Sequence, residues 1–74
     1  MTELHDNNTY YTPHVKVYEY SVGCFEYISA VNCVCADTNK VLWTWYGTLK
    51  WENVNSAMLE SRAKVRELIK EEAD

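Results

Sequence analysis

A chain of 74 residues has room for one domain and no second core, and domains this short hide little surface unless a staple, a metal or a partner helps them. Hydrophobic content of 47% excludes wholesale disorder. Eleven Asp and Glu against seven Lys and Arg give a net charge of -4, which opposes non-specific nucleic-acid binding and is too mild for a nucleic-acid mimic.

Met1 to Pro13 is polar and without apolar period, so it reads as a flexible arm, 1–13, ahead of a single β-β-β-α domain, 14–74. Tyr10-Tyr11 offers a way for the arm to fold back, with room for a short extra strand. Pro13 marks the entry to a first strand, His14 to Val22. The second strand, from Cys24 toward Ala36, is rich in β-branched and aromatic residues and bounded by turn signals at Val22-Gly23 and Asp37-Thr38-Asn39.

Side-chain matching favours a four-residue loop, Ser21 to Cys24, setting Tyr20 opposite Phe25, Tyr18 opposite Tyr27, Val17 opposite Ile28 and Val15 opposite Ala30. A three-residue loop would oppose Val17 to Tyr27 and Tyr18 to Glu26, mixing the faces. The favoured register has one weak point, Glu19 opposite Glu26. A third strand runs from Val41 to about Tyr46 and on toward Trp51, pairing Ala36 with Val41, Val34 with Trp43 and Val31 with Tyr46, with Gly47 at a bulge or bend. Asn53-Val54-Asn55-Ser56 carries N-cap chemistry for a helix to about Glu72. Its apolar face holds Val54, Met58, Val65, Leu68 and Ile69 with Ala57 and Ser61.

The expected architecture is therefore α+β: a three-stranded antiparallel meander with one amphipathic helix across one face. On these registers the helix covers Val15, Val17, Ile28, Ala30, Val34, Ala36, Val41, Trp43, Trp45 and Leu49. The other face would carry His14, Lys16, Tyr18, Tyr20, Phe25, Tyr27, Ser29, Val31, Cys33, Cys35, Leu42, Thr44, Tyr46 and Lys50. An open antiparallel face is ordinarily Lys, Glu, Thr and Ser, so a tyrosine-rich one suggests a binding surface made by Tyr18, Tyr20, Phe25, Tyr27 and Tyr46 with Lys16 and Lys50. The plainer reading is cross-strand Tyr pairing that stabilises the sheet.

Arg62, Arg66 and Lys70 form a basic stripe along the helix, suited to an anion but equally to a solvated face. In the second case Glu60 pairs with Lys64, and Arg62 or Arg66 reaches toward Glu19 and Glu26. Cys33 and Cys35 share one strand face with His14 nearby, but three converging ligands do not make a metal site, and Cys24 lies too far along the strand. No His–carboxylate–nucleophile set, glycine-rich phosphate loop or zinc motif occurs, so neither catalysis nor a cofactor is expected. The strand–strand–strand–helix order is shared with the last two-thirds of a double-stranded RNA-binding domain. Nothing here reads as that domain's first helix, and Ser56-Ala57-Met58-Leu59 lacks the lysine cluster expected at its helix start, so no family membership follows.

The composition thus suggests a small acidic protein-protein interaction module, in size and style like phage or mobile-element inhibitors that block a host complex. The alternatives are a homodimer burying the same face and a nucleic-acid-binding domain using the sheet aromatics with Lys16 and Lys50. With an odd cysteine count, no signal segment and no apolar run long enough for a bilayer, the expected location is the cytoplasm, that of the host if the protein is viral.

Overall fold

The computed structural model describes residues 8–73. Three strands, β1 (Thr9–Ser21), β2 (Cys24–Cys35) and β3 (Val41–Trp51), form an antiparallel sheet in the order β1-β2-β3. One helix, α1 (Val54–Ala73), packs against it, making the chain α+β. β1 begins at Thr9 rather than His14, so the stretch from Thr9 to Pro13, assigned above to the arm, is strand; Met1 to Asn7 lie outside the described residues. Contacts with the β2–β3 turn hold this early start. Asn8 C=O accepts from Ala36 N–H at 2.6 Å, and the Tyr10 hydroxyl lies 3.3 Å from Asn39 Oδ1. Pro13 sits inside β1 rather than at its entry, which is tolerated because β1 is an edge strand, where the N–H of every second residue points away from the sheet and has no ladder partner to lose.

The β1–β2 register differs by one residue from the expected one. Val17 pairs with Tyr27, Tyr18 with Glu26, Lys16 with Ile28, Val15 with Ser29 and His14 with Ala30. The connection is the two-residue turn Val22-Gly23, with Gly23 at φ 77°, where a side chain would be strained. Tyr20 is the extra residue of a bulge between Glu19 and Ser21, and Glu19 Oε2 accepts the Gly23 N–H at 3.0 Å. Glu19 pairs with Phe25 and Glu26 with Tyr18, so the expected like-charge pair does not form.

The β2–β3 register is likewise displaced, with Cys33 opposite Trp43, Val31 opposite Trp45 and Ala30 opposite Tyr46. Asn39, at φ 61°, turns the chain between them, and its N–H bonds the Cys35 carbonyl at 2.6 Å. Gly47 does mark an irregularity: the ladder shifts there, and β3 continues to Trp51. A side chain at Gly47 would press Glu60 Oε1 at 3.2 Å, so glycine lets that carboxylate reach the sheet.

Because strand side chains alternate, a one-residue slip turns every β2 side chain over. Ser29, Val31 and Cys33 face the helix, while Ile28, Ala30 and Val34 face away, the reverse of the expected assignment. Along the outer strands Val15, Trp43 and Trp45 keep their expected side toward the helix and Lys16, Tyr18, Tyr46 and Lys50 theirs away from it, whereas Val41, expected under the helix, pairs with Val34 on the open side because the ladder shifts between Cys33 and Val34.

Asn53 caps the helix, its Oδ1 accepting from Asn55 N–H at 2.6 Å and Ser56 N–H at 3.4 Å. Ala57 and Ser61 are fully buried at the sheet, whereas Val54 and Ile69, placed above on the apolar face, are about half exposed. The buried apolar set is small: Ala30, Val31, Cys33, Val34 and Ala57. Hydroxyls supply much of the attachment. Ser61 Oγ accepts the Ala30 N–H at 3.0 Å and lies 2.8 Å from the His14 carbonyl oxygen, so one helical side chain bonds two strands. The Ser29 hydroxyl lies 2.7 Å from the Ala57 carbonyl oxygen and 2.6 Å from Glu60 Oε1, which also accepts from Trp51 Nε1 at 2.7 Å. At the far end of the helix the Tyr11 hydroxyl donates to Glu72. Burial first, then that carboxylate, pushes the Tyr11 phenol well above its ordinary value.

Candidate interaction face

The side of the sheet away from the helix carries four of the seven residues expected to bind a partner. Lys16 and Lys50 flank Ile28 in one cross-strand row. Lys16 Nζ reaches one row toward the Ala30 pair and lies 5.3 Å from the centre of the Tyr46 ring. Lys50 Nζ reaches the opposite way and lies 5.2 Å from the centre of the Tyr18 ring. Each ammonium over a ring face contributes about 0.5–1 kcal/mol at such exposure. The two pairs run as parallel diagonals on either side of Ile28, Lys16–Tyr46 toward Ala30 and Lys50–Tyr18 toward Glu26, and Ala30 is without exposure although no helix lies on this side. Both rings stay about half exposed, and neither lysine has an ion-pair partner among the described residues.

The other three expected residues are elsewhere. Phe25 and Tyr27 belong to the helix side of β2, and Tyr20 is the bulged residue near the hairpin tip. Farther along the open face the row Thr12–Asn32–Thr44 is polar, with Thr44 Oγ1 2.7 Å from Asn32 Oδ1, and the next row carries Tyr10, Val34 and Val41. His14 belongs to this face too, and its Nε2 is buried with no hydrogen-bond partner among the described residues.

The slip separates His14 from Cys33, which lie on opposite sides of the sheet, so the juxtaposition of His14 with the two thiols does not occur. No group of three or more His, Cys, Asp or Glu is placed to hold a metal among the described residues. The thiols differ in environment. Burial pushes Cys33 up, opposed by a hydrogen bond with Thr9. At the strand end, the Thr38 hydroxyl, then the backbone groups of Thr38 and Asp37, hold Cys35 below the ordinary thiol value. Native alkylation with iodoacetamide, followed by peptide mass spectrometry, is expected to label Cys35 and the exposed Cys24 well before Cys33. Labelling of Cys33 at the rate of Cys35 would contradict the burial described here.

Arg62, Arg66 and Lys70 are exposed and unpaired among the described residues. Lys64 pairs with Glu67 at 3.1 Å and lies over Trp45, rather than pairing with Glu60, and neither arginine reaches Glu19 or Glu26. A shallow hollow of about 180 Å³ lies between Trp45, Glu60, Ala63, Lys64 and Glu67. No described helix is long and apolar enough to cross a membrane.

No protein-family model, curated protein or solved structure matches this chain.

Proposed function

We propose that this chain is a non-enzymatic protein-interaction module that binds an acidic surface of another protein through Lys16, Tyr18, Tyr46 and Lys50. The observation that carries this reading is the pair of lysine–tyrosine diagonals on the open face. Two ammonium groups, positioned by aromatic rings and without an ion pair among the described residues, lie beside half-exposed tyrosines, with Glu26 on the same face opposite Tyr18. Tyr gives large contact area at low entropic cost, and a pre-positioned cation loses little freedom on meeting a carboxylate. Base stacking is disfavoured because the chain's own lysines occupy the ring faces, and a net charge of -4 opposes phosphate. A hollow of about 180 Å³ is small for a substrate site, since ligand pockets span roughly 300–1,000 Å³.

The test is affinity capture from cells that express the protein, comparing the tagged chain with Tyr18→Ala/Tyr46→Ala and Lys16→Ala/Lys50→Ala. A protein partner retained by the parent, released by added salt and lost with both double variants is the expected result. Unchanged retention by both variants, with unchanged circular dichroism, would refute the reading.

A further inference from the structure

The outward side of α1 carries charge that the fold does not use. Arg62, Arg66 and Lys70 recur every fourth residue, so they climb the helix in steps of about 6 Å and share one exposed face. Residues three and four apart are neighbours on a helix surface. At those positions Arg62 meets Met58, Leu59, Val65 and Arg66, and Arg66 meets Arg62, Ala63, Ile69 and Lys70. Neither arginine finds a carboxylate there, and the like-charge contacts within the stripe weaken the helix. Carboxylates are not scarce, since α1 holds Glu60, Glu67, Glu71 and Glu72. Glu60 is bonded to Ser29 and Trp51, Glu67 to Lys64 and Glu72 to Tyr11, while Glu71 stands one turn beyond Glu67. Charge is therefore segregated on this helix, with cations gathered on one face of a chain whose net charge is -4. The same face exposes two large apolar side chains, Leu59 at 65% and Ile69 at 53%, three residues before Arg62 and three after Arg66.

We propose that this face docks an acidic segment of another protein, laid along α1. Its carboxylates meet Arg62, Arg66 and Lys70, and its apolar side chains meet Leu59 and Ile69. Charge complementarity sets the sign of the partner. The three cations stand in a row without an ion pair among the described residues, so they meet carboxylates without first breaking a bond within the chain. The planar guanidinium fork of arginine matches a carboxylate bidentately. Leu59 and Ile69 favour protein over nucleic acid, because a phosphate backbone gives them nothing to pack on and the stripe holds no aromatic ring to stack a base. The helix turns this stripe away from the sheet, whereas Lys16, Tyr18, Tyr46 and Lys50 lie on the sheet's far side, so the two surfaces are separate.

Fluorescence anisotropy of the full chain with a labelled helical peptide of glutamate and leucine tests this, beside a lysine–leucine peptide and labelled oligothymidylate. The glutamate–leucine peptide is expected to bind, more weakly as salt rises, and the lysine–leucine peptide is not. Its dissociation constant should rise at least about tenfold in Arg62→Gln/Arg66→Gln and in Leu59→Gln/Ile69→Gln, and stay within about twofold in Lys16→Ala/Lys50→Ala. Arg62→Gln/Arg66→Gln and Lys16→Ala/Lys50→Ala remove the same charge, so the comparison reads where the cations lie rather than their sum. Arg62→Gln/Arg66→Gln also relieves the like-charge contacts, so its urea midpoint should be no lower than the parent's. No binding of the glutamate–leucine peptide, or binding that survives Arg62→Gln/Arg66→Gln, would overturn the proposal. So would tighter binding of oligothymidylate that is lost in that variant. Loss of the peptide in Lys16→Ala/Lys50→Ala alone would overturn it too, and would place acidic partners on the lysine–tyrosine face only.

Discussion

Val31→Asp is expected to unfold the protein, whereas Ile28→Thr should cost no more than about 1–2 kcal/mol. Val31 is fully buried in the central strand, between Pro13 and Trp45 and under the helix. An unpaired carboxylate there must either ionise without partners or take up a proton in an apolar site, costing several kcal/mol. A chain of this length has a total stability of roughly 4–11 kcal/mol, so one such substitution consumes most of it. Ile28 lies on the opposite side between Lys16 and Lys50, where threonine keeps the β-branch and can meet water. Circular dichroism with urea titration of both variants decides the register. A folded Val31→Asp beside an unfolded Ile28→Thr would mean that β2 faces the other way.

That contrast also marks where the amino-acid pattern carried the fold and where it did not. The three strands, the N-cap at Asn53 and the irregularity at Gly47 are legible because each rests on local chemistry. Register is not local. Matching Tyr18 to Tyr27 and Val17 to Ile28 makes chemically tidy faces, but the turn geometry at Val22-Gly23 and the bulge at Tyr20 set the pairing instead. The side taken by Lys16, Tyr18, Tyr46 and Lys50 is legible because the outer strands alternate clearly by themselves, Val15 and Val17 against Lys16 and Tyr18, Trp43 and Trp45 against Thr44 and Tyr46. β2 reads as apolar on both faces, so its own sequence cannot say which side is which. The missed signal lies in Ser29 and Ser61. Two serines within otherwise apolar stripes are costly to bury apart and cheap to bury together, and only the observed register brings both to the helix–sheet contact.

Ser61→Ala is the second substitution with a large expected effect, a loss of about 2–4 kcal/mol in urea unfolding. The side chain it removes is small, so the cost is not one of packing. Ser61 is fully buried, and its hydroxyl is a partner of the Ala30 N–H at 3.0 Å and of the His14 carbonyl oxygen at 2.8 Å. Alanine leaves those backbone groups short of a partner where water cannot easily replace it, at about 1–3 kcal/mol for each group left unsatisfied. The Ala30 amide should correspondingly exchange its hydrogen faster in Ser61→Ala, while Arg62→Ala, one residue along on the exposed side, should change stability by less than about 0.5 kcal/mol. A loss below about 0.5 kcal/mol for Ser61→Ala would mean that apolar contact alone holds the helix.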